Sequence, residues 1–162
     1  IAKDNPDIAI ATLKRWSRES NPHVRWVVRH AARSLIKQGH PEAIDMLGYP
    51  LDPKIKISVV AVSPRRVKQG ETVGLAFSIR SQAVTAQKLI VDYAIYFRKA
   101  NGTLAPKVFK LRNLTIPARG EVWMEKKCRL KNTSGRTIYP GYHEIEIRIN
   151  GKAYGKGSFI VT

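Results

Sequence analysis

The segment GYPLDP, residues 48–53, divides the sequence into two parts whose apolar residues follow different periods. A glycine and two prolines so close together interrupt a helix and mark a connection. Before this segment the apolar residues recur at the spacing of an amphipathic helix, and after it they alternate with polar residues. The sequence therefore predicts a helical part at residues 1–49, a linker at 50–53 and a β part at 54–162.

In the helical part, each predicted helix begins with a capping residue followed by proline at the first helical position. Three such starts occur, at Asn5-Pro6, Asn21-Pro22 and His40-Pro41. Their spacing of about 16 to 19 residues suits antiparallel helix pairs that stack into a solenoid. Because so few helices cannot bury a solenoid core, and because the chain begins with Ile1 rather than Met, we expect further repeats upstream.

The second part has the alternating pattern of a β-sandwich. Apolar and polar residues alternate in the segments 55–61, 73–79, 89–97, 122–130, 145–149 and 159–161. The pairs Asn101-Gly102 and Asn150-Gly151 are strong signals for hairpin turns. About seven short strands in roughly 110 residues predict an all-β immunoglobulin-like sandwich. The single cysteine, Cys128, excludes an internal disulfide and is typical of a reducing compartment such as the cytoplasm.

Positive charge is the strongest feature of the composition. The chain has 29 Lys and Arg against 12 Asp and Glu, which gives a net charge of +17. Residues 51–162 hold 21 basic and 7 acidic residues and so carry most of this excess. Such a field attracts polyanions, of which nucleic acid is the commonest partner of a basic domain. No apolar run approaches the roughly 18 to 20 residues of a membrane span, so we expect no membrane partner.

The sequence offers no catalytic or metal-binding pattern. None of the four histidines has a partner at metal-ligand spacing, and no glycine-rich phosphate loop occurs. Cys128 lies on the apolar parity of its predicted strand, which favours a core position over a nucleophile. Glu144 and Glu146 alternate with the apolar residues of their predicted strand and so lie on its water-facing side. This position favours solvated charges over an acid–base pair. We therefore expect no catalytic residue, metal or cofactor within this chain.

The predicted second helix, VRWVVRHAARSLIK at residues 24–37, has an unusual polar face. One face carries Val, Ala, Leu and Ile, as expected for packing. The opposite face holds only cationic and aromatic side chains, with no acid: Trp26, Arg29, His30, Arg33 and Lys37. These residues form a candidate DNA-binding surface, in which cations contact phosphates and an aromatic ring stacks on a base or sugar. In the alternative interpretation Trp26 packs on a neighbouring helix and the cations are merely solvated.

A second basic group is predicted at one end of the sandwich. In an antiparallel sandwich alternate loops share an end, which brings the loops 64–71, 98–107 and 131–140 together. The candidate DNA-binding residues in these loops are Arg65, Arg66, Lys68, Lys99, Lys131 and Arg136. The opposite end is also basic, with Lys88 and Arg119 among its residues. Scattered solubilising charge is the alternative explanation.

Two segments carry a resemblance to a known family. The segments IAKDNPDIAIATLKRW, residues 1–16, and RWVVRHAARSLIKQGHPEAIDMLGY, residues 25–49, closely resemble the last repeats of the HEAT-like-repeat alkylpurine DNA glycosylases. In the AlkC branch of that family an Ig-like domain follows the repeats. The resemblance implies terminal α-helical HEAT-like repeat helices at 1–49, followed by an all-β Ig-like sandwich at 54–162.

The resemblance also implies a function. Members of the family are bacterial DNA repair enzymes that excise cationic N-alkylated bases such as 3-methyladenine from double-stranded DNA. Their catalytic carboxylates lie mainly on earlier repeats, so this chain would supply DNA binding rather than the catalytic site. The related AlkD branch has a W-x-x-R pattern, and the aligned stretch of this chain runs from His30 to Arg33. Arg33 matches the arginine of the pattern, whereas His30 replaces its tryptophan. The resemblance implies a phosphate or sugar contact for Arg33.

Two functions remain open at this point. The first is the C-terminal part of a DNA alkylation repair glycosylase that acts as a monomer in the bacterial cytoplasm and associates with the nucleoid when bound to DNA. The second is a non-enzymatic HEAT/Ig-like adaptor that binds acidic protein or nucleic-acid partners. The steepness with which duplex binding weakens as salt rises would separate them, since contacts with phosphates release counterions.

Overall fold

The computed structural model describes residues 4–162, so residues 1–3 of the predicted helical part lie outside the described range. The helices are α1 (Pro6–Ser17), α2 (Pro22–Lys37) and α3 (Pro41–Met46). The strands are β1 (Ile55–Ile57), β2 (Ala61–Ser63), β3 (Arg66–Val67), β4 (Thr72–Ser81), β5 (Gln87–Arg98), β6 (Leu104–Ile116), β7 (Glu121–Arg129), β8 (Gly141–Ile149) and β9 (Lys152–Val161).

The predicted helix starts are confirmed, because each described helix has proline in its first turn. Asn21 caps α2, since its side chain accepts a hydrogen bond from the backbone N–H of His23 at 2.9 Å. Asn5 makes no such side-chain bond at the start of α1. Thus the same Asn-Pro pair appears at both helices, but only at α2 does the asparagine side chain satisfy a free backbone donor.

The predicted fold class is wrong in its helical part, because the described residues do not show terminal HEAT-like repeat helices before the sandwich. The described chain is mostly β, and its helices do not form a repeat array. α3 has only 6 residues against 16 in α2, so the two do not make equivalent repeat units. The recurring x-Pro signal marks the capping of helix starts, and such capping occurs in helices of any architecture. The exact division into domains at residues 49 and 54 stays a prediction.

The strands form two sheets. In the first sheet β4 is central, with β1 and β2 paired along one side and β7 along the other. The second sheet has the order β3-β9-β8-β5-β6, in which β3 runs parallel to β9 and the other neighbours are antiparallel. The two packed sheets agree with the predicted all-β sandwich, but the described residues form nine strands where the alternating pattern predicted about seven.

The core lies between the inner faces of the two sheets. Phe77 and Ile79 from the first sheet and Ile145 and Ile147 from the second are completely buried. Cys128 is buried in the same cluster, as its parity predicted. The long strand β6 was not predicted, and it begins within the segment assigned to the 98–107 loop. Its burial pattern is irregular, and its charged residues make it suitable as an exposed edge strand.

The helices pack on the second sheet through a smaller core. Ile90 of β5 belongs to the same buried cluster as Val28, Leu35 and Ile44 of the helices. At the centre of the contact, Gly39 after α2 meets Gly151 in the β8–β9 turn. No helix in the described residues is both long enough and apolar enough to cross a membrane.

Candidate nucleic-acid interface

A cavity lies where α2 meets the outer face of β5 and β6, and we call it the junction cleft. It has a volume of about 620 Å³. Its lining residues are Trp26, Arg29, His30, Arg33, Ile36, Leu47, Tyr49, Lys88, Ile90, Lys110 and Asn113. The helices and the sandwich both contribute to it, so the cleft exists only because the two parts are packed together.

An exposed aromatic pair lies at the rim of the junction cleft. The rings of Trp26 and His30, one helical turn apart, are stacked with their centroids 3.9 Å apart and an interplanar angle of 28°. Trp26 is 60% exposed, and its ring contact among the described residues is with His30. The pair therefore offers an aromatic surface at the opening of a basic cleft, where a base or a sugar could stack.

Cations from both parts of the chain surround the cleft. Arg29 of α2, Lys88 of β5 and Lys110 of β6 are exposed lining residues. Among the described residues that line the cleft, none is acidic. The charge of Arg33, which lines the cleft, is balanced by its ion pair with Asp92 of β5. The net field at the cleft is positive and favours an anionic ligand.

Arg33 has a partner within the chain that the sequence did not reveal. Its Nη2 and Nη1 atoms donate to the two carboxylate oxygens of Asp92 at 2.7 and 3.0 Å. The side chain of Asp92 is only 3% exposed, whereas that of Arg33 is 25% exposed. Such a bidentate pair fixes the orientation of both groups. Arg33 thus attaches α2 to β5 and orients the cleft, while a phosphate contact by Arg33 itself stays a prediction.

A second polar network supports the same contact. Arg148 of β8 donates to Glu146 at 2.8 Å, to the hydroxyl of Tyr96 at 3.1 Å and to the carbonyl of Lys37 at 3.4 Å. Glu146 was expected to face solvent, but it is only 6% exposed, so that expectation is wrong. The alternation correctly placed Glu146 on the outer face of its sheet, but packing against neighbouring side chains shields that part of the face from water.

Four of the five predicted stripe residues on α2 line the junction cleft. Lys37, the fifth, is exposed and lies outside the lining. The sequence analysis missed Lys110, Asn113 and Tyr49, which complete the cleft. The hairpin signal at Asn101-Gly102 implied a returning strand, and it was the available clue to β6 and its lysines.

The predicted clustering of three loops at one end of the sandwich is confirmed. The backbone N–H of Gly70 donates to the carbonyl of Leu130 at 2.6 Å, and the amide of Gln69 donates to that of Asn132 at 2.8 Å. The 98–107 segment joins the same end in a cavity of about 400 Å³, the far-end cleft. This cleft is lined by Phe97, Arg98, Lys99, Ala100, Ala105, Pro106, Lys107, Gly135, Arg136, Thr137 and Tyr139.

The six predicted residues of these loops therefore separate into two groups. Lys99 and Arg136 line the far-end cleft. The others are exposed at the same end but outside its lining, namely Arg65, Arg66, Lys68 and Lys131. Arg98 and Lys107, at the two ends of the 98–107 segment, also line the cleft.

Within residues 4–162, His, Cys, Asp and Glu side chains form no group of three or more that could hold a metal ion. The described arrangement is suited to binding: cations can neutralise phosphates, and exposed rings can stack. The two clefts lie at opposite ends of β5, since the junction cleft contains Lys88 and the far-end cleft contains Arg98.

Known proteins resemble this chain in both sequence and structure. A family model described as the C-terminal Ig-like domain of the uncharacterised protein YhaZ matches residues 56–162. The uncharacterized protein YhaZ of Bacillus subtilis (strain 168) is 30% identical over 152 residues, which cover 94% of this chain and 42% of that protein.

A similar solved structure is the Pseudomonas fluorescens alkylpurine DNA glycosylase AlkC bound to DNA containing an abasic site analog. It matches with a TM-score of 0.96 and 35% identity over 100% of this chain and 45% of that one. A β-glucosidase from Listeria innocua matches 67% of this chain and 16% of its own, with a TM-score of 0.56 and 12% identity, which indicates a shared fold alone. This chain thus spans less than half of YhaZ and of AlkC. From the match over residues 56–162, the chain belongs to the family of YhaZ C-terminal Ig-like domains.

Proposed function

We propose that this chain is the C-terminal part of an alkylpurine DNA glycosylase and that it binds duplex DNA at the junction cleft. The similarity to AlkC over the whole chain supports DNA alkylation repair as its process. Membership of the AlkC branch, and the excision of cationic N-alkylated bases such as 3-methyladenine, belong to the same proposal. The chain holds the DNA, and the bond-breaking chemistry belongs to the rest of the protein.

The composition of the junction cleft is the observation that carries this proposal. Arg29, Lys88 and Lys110 can each contact a phosphate, and none of them forms a salt bridge with a described carboxylate. The exposed ring of Trp26 can stack on a base or pack against a sugar. A ligand that is polyanionic and also carries flat rings satisfies both features, and DNA is such a ligand.

The size of the cleft limits how DNA can bind. A volume of about 620 Å³ is much smaller than a duplex segment and accommodates a few groups of one strand. We therefore infer that the backbone of one strand enters the cleft while the duplex lies across its opening. Arg33 positions α2 through Asp92, and the neighbouring Arg29 makes the contact with DNA.

Titration of a fluorescent duplex at several salt concentrations tests the proposal. The double variant Lys88→Ala/Lys110→Ala removes two cations of the cleft, so we expect weaker binding. The slope of log K against log salt should become shallower by about 2, since each lost phosphate contact removes about 0.9. Trp26→Ala should weaken binding at every salt concentration and leave that slope unchanged, because stacking releases no counterions.

The matched control is Lys126→Ala/Lys127→Ala, which removes the same charge from exposed positions of β7 in the other sheet. An equal loss of slope in both double variants would show that only net charge matters and would reject the cleft as the interface. Polyglutamate serves as the competitor. If it displaces DNA as effectively as unlabelled duplex does, the chain is better described as an adaptor for acidic partners.

A further inference from the structure

The chain contains two Asn-Gly pairs, Asn101-Gly102 and Asn150-Gly151, and neither pair lines the junction cleft or the far-end cleft. The backbone nitrogen that follows an asparagine can attack the carbon of the side-chain amide, Cγ, and close a five-membered imide ring. A glycine at that position makes the attack easiest, because it has no Cβ to shield its nitrogen. The local sequence therefore assigns nearly the same reactivity to both pairs, whereas their environments in the structure differ.

The side-chain amide of Asn101 is placed for such an attack. Asn101 is an exposed residue of the turn between β5 and β6. Its Oδ1 atom accepts two hydrogen bonds from Thr103, one from the backbone N–H at 3.1 Å and one from the hydroxyl at 2.7 Å. Donors in this position stabilise the negative charge that develops on Oδ1 when Cγ is attacked. The turn thus supplies a small oxyanion site for the reaction.

The attacking nitrogen belongs to Gly102, which lies beside a cation. An added Cβ on Gly102 would lie 3.6 Å from Nη2 of Arg98, so the guanidinium is next to this peptide unit. A nearby positive charge stabilises the deprotonated nitrogen that carries out the attack. The N–H of Gly102 donates to the carbonyl of Lys99 at 2.9 Å, and this bond has to open first. An exposed turn opens at a small cost in free energy, so the bond delays the attack only slightly.

Asn150 has the opposite environment. It is only 1% exposed, and its side-chain amide makes three hydrogen bonds to the backbone. Oδ1 accepts from the N–H of Ile90 at 2.8 Å, while Nδ2 donates to the carbonyls of Pro50 at 2.8 Å and Lys88 at 3.3 Å. Attack by the nitrogen of Gly151 would break these bonds and leave buried polar groups without partners. Burial also keeps away the water that opening of the ring requires.

We propose that Asn101 is a site of deamidation and that Asn150, although it has the same following glycine, is protected. The nitrogen of Gly102 loses its proton to solvent and bonds to Cγ of Asn101, and the Cγ–Nδ2 bond breaks. The departing nitrogen takes a proton from solvent and leaves as ammonia. Water then adds to one of the two imide carbonyls, the bond from that carbon to the ring nitrogen breaks, and the nitrogen regains its proton.

The products change the charge at one end of the molecule. Opening of the ring at Cγ gives aspartate, and opening at the main-chain carbonyl gives isoaspartate. Either acid loses a proton to solvent, which places a carboxylate two residues from Lys99 of the far-end cleft. The reaction consumes water and releases ammonia, so it needs neither an oxidant nor a reductant.

Peptide mapping of aged protein tests the proposal. The chain is incubated at mildly alkaline pH in heavy-oxygen water, both folded and in urea, and mass spectrometry follows the two Asn-Gly peptides. In the folded chain, heavy oxygen should enter the Asn101 peptide on the order of a hundredfold faster, since three buried hydrogen bonds protect Asn150. In urea the two rates should agree within a few-fold, because the protecting structure is gone.

Two variants make the test specific. Thr103→Val removes the hydroxyl donor to Oδ1 of Asn101 and keeps a β-branched side chain, so the folded-state rate should fall several-fold. Its rate in urea should equal that of the wild type. Asn101→Gln is the control, because attack on its longer side chain would have to close a six-membered ring, and its peptide should stay unmodified.

Three results would reject parts of the proposal. An Asn101 peptide that reacts in urea but not in the folded chain would show that the turn protects this residue. Equal rates at both asparagines in the folded chain would show that the buried hydrogen bonds of Asn150 give no protection. An unchanged rate in Thr103→Val would remove the hydroxyl from the account. The readout needs no DNA, so the proposed function and this inference can fail separately.

Discussion

At the scale of single residues, Arg33 was predicted from the sequence to contact DNA, and the structure shows that it also forms an ion pair with Asp92. Its cationic character and its position on the polar face of α2 are visible in the sequence. Its partner, Asp92, lies 59 residues away on β5, and no local pattern connects the two. The pair stabilises the packing of the helices on the sandwich and leaves Arg29 as the free arginine of the cleft.

The ion pair leads to an asymmetric prediction for stability. Arg33→Ala leaves the carboxylate of Asp92, only 3% exposed, without its bidentate partner, and should lower the free energy of unfolding by about 3 kcal/mol. Asp92→Ala leaves a guanidinium that is 25% exposed and can hydrate, so it should cost about 1 to 2 kcal/mol. Urea unfolding of both variants measures the difference. A larger cost for Asp92→Ala would contradict this account.

His143 predicts a dependence of stability on pH. It is completely buried against Phe159, and burial lowers the pKa of its imidazole below the usual 6.5, with the charge of Arg98 acting in the same direction. The backbone carbonyl of Gly141 at 3.0 Å partly opposes this shift of the pKa. Below pH 6.5 the unfolded chain therefore binds the proton more readily than the folded chain does, and the free energy of unfolding falls.

The measurement is denaturant unfolding at a series of pH values between about 7.5 and 5. His143→Leu should lose part of the decrease that the wild type shows below pH 6.5. His23, His30 and His40 are present in both proteins, so the difference between the two curves isolates His143. Parallel curves for variant and wild type would exclude His143 as the source of the pH dependence.

At the scale of elements, the start of α2 depends on a cap that the start of α1 lacks. Asn21→Ala removes the side-chain bond to the backbone N–H of His23 and should lower the free energy of unfolding by about 1 kcal/mol. Asn5→Ala removes no such bond and should change it by much less. Thermal unfolding compares the two variants, and equal effects would mean that the side-chain cap contributes nothing.

The contact between the helices and the β8–β9 turn depends on two glycines. Both have a positive φ, +73° at Gly39 and +79° at Gly151. A Cβ on Gly151 would lie 2.5 Å from Ile44 Cδ1 and 2.9 Å from Gly39 Cα. Backbone meets backbone here, so the contact cannot relax by turning a side chain alone.

Gly151→Ala should therefore lower the free energy of unfolding through two effects. One is the backbone strain of an alanine at positive φ, and the other is the steric clash of its Cβ with Ile44 and Gly39. Gly48 is the matched control, since its φ is +78° and no atom lies within 4 Å of an added Cβ. Gly48→Ala should cost about 1 to 2 kcal/mol of unfolding free energy, and Gly151→Ala about 1 to 3 kcal/mol more because of overpacking. If both variants unfold at the same denaturant concentration, the close contact contributes no strain.

At the scale of the whole molecule, the net charge of +17 is spread over the chain, and cations line both the junction cleft and the far-end cleft. The nearest lysines of the two clefts along a strand, Lys107 and Lys110 of β6, are three residues or about 10 Å apart, and the two linings share no residue, so the two sites should act nearly independently. If DNA contacts both clefts, as the sequence analysis expects, the losses of duplex-binding free energy in Lys88→Ala/Lys110→Ala and Lys99→Ala/Lys107→Ala should add within about 0.5 kcal/mol in the quadruple variant. Fluorescence titration at one fixed salt concentration measures this sum. A quadruple variant no weaker than either double variant would show that DNA occupies one cleft at a time.

Much of the architecture was predictable because its signals are local. Helix starts follow from residues adjacent in sequence, and the strands of the core follow from an alternation of period two. The buried position of Cys128 followed from the same parity. The strand β6 was not predicted, because an edge strand buries few side chains and its apolar residues therefore do not alternate regularly with polar ones.

The candidate site was only partly predictable, because several of its residues come from elements that are distant along the chain. The stripe on α2 was visible because its members recur at helical spacing, and four of the five line the junction cleft. Lys88, Lys110 and Asn113 join them from β5 and β6, which no periodicity within α2 can reveal. The HEAT-like repeat was inferred wrongly because a shared capping signal was taken as evidence for a shared packing arrangement.

The sequence by itself determined the change from helix to strand after GYPLDP, the parity of the core strands and the excess of positive charge, because each depends on composition or on neighbours along the chain. Only the tertiary structure decided that Arg33 bonds Asp92, that Glu146 is shielded from water and that cations from α2, β5 and β6 meet in one cleft. Burial and ion pairing depend on distances in space, and these are set when the helices pack on the second sheet.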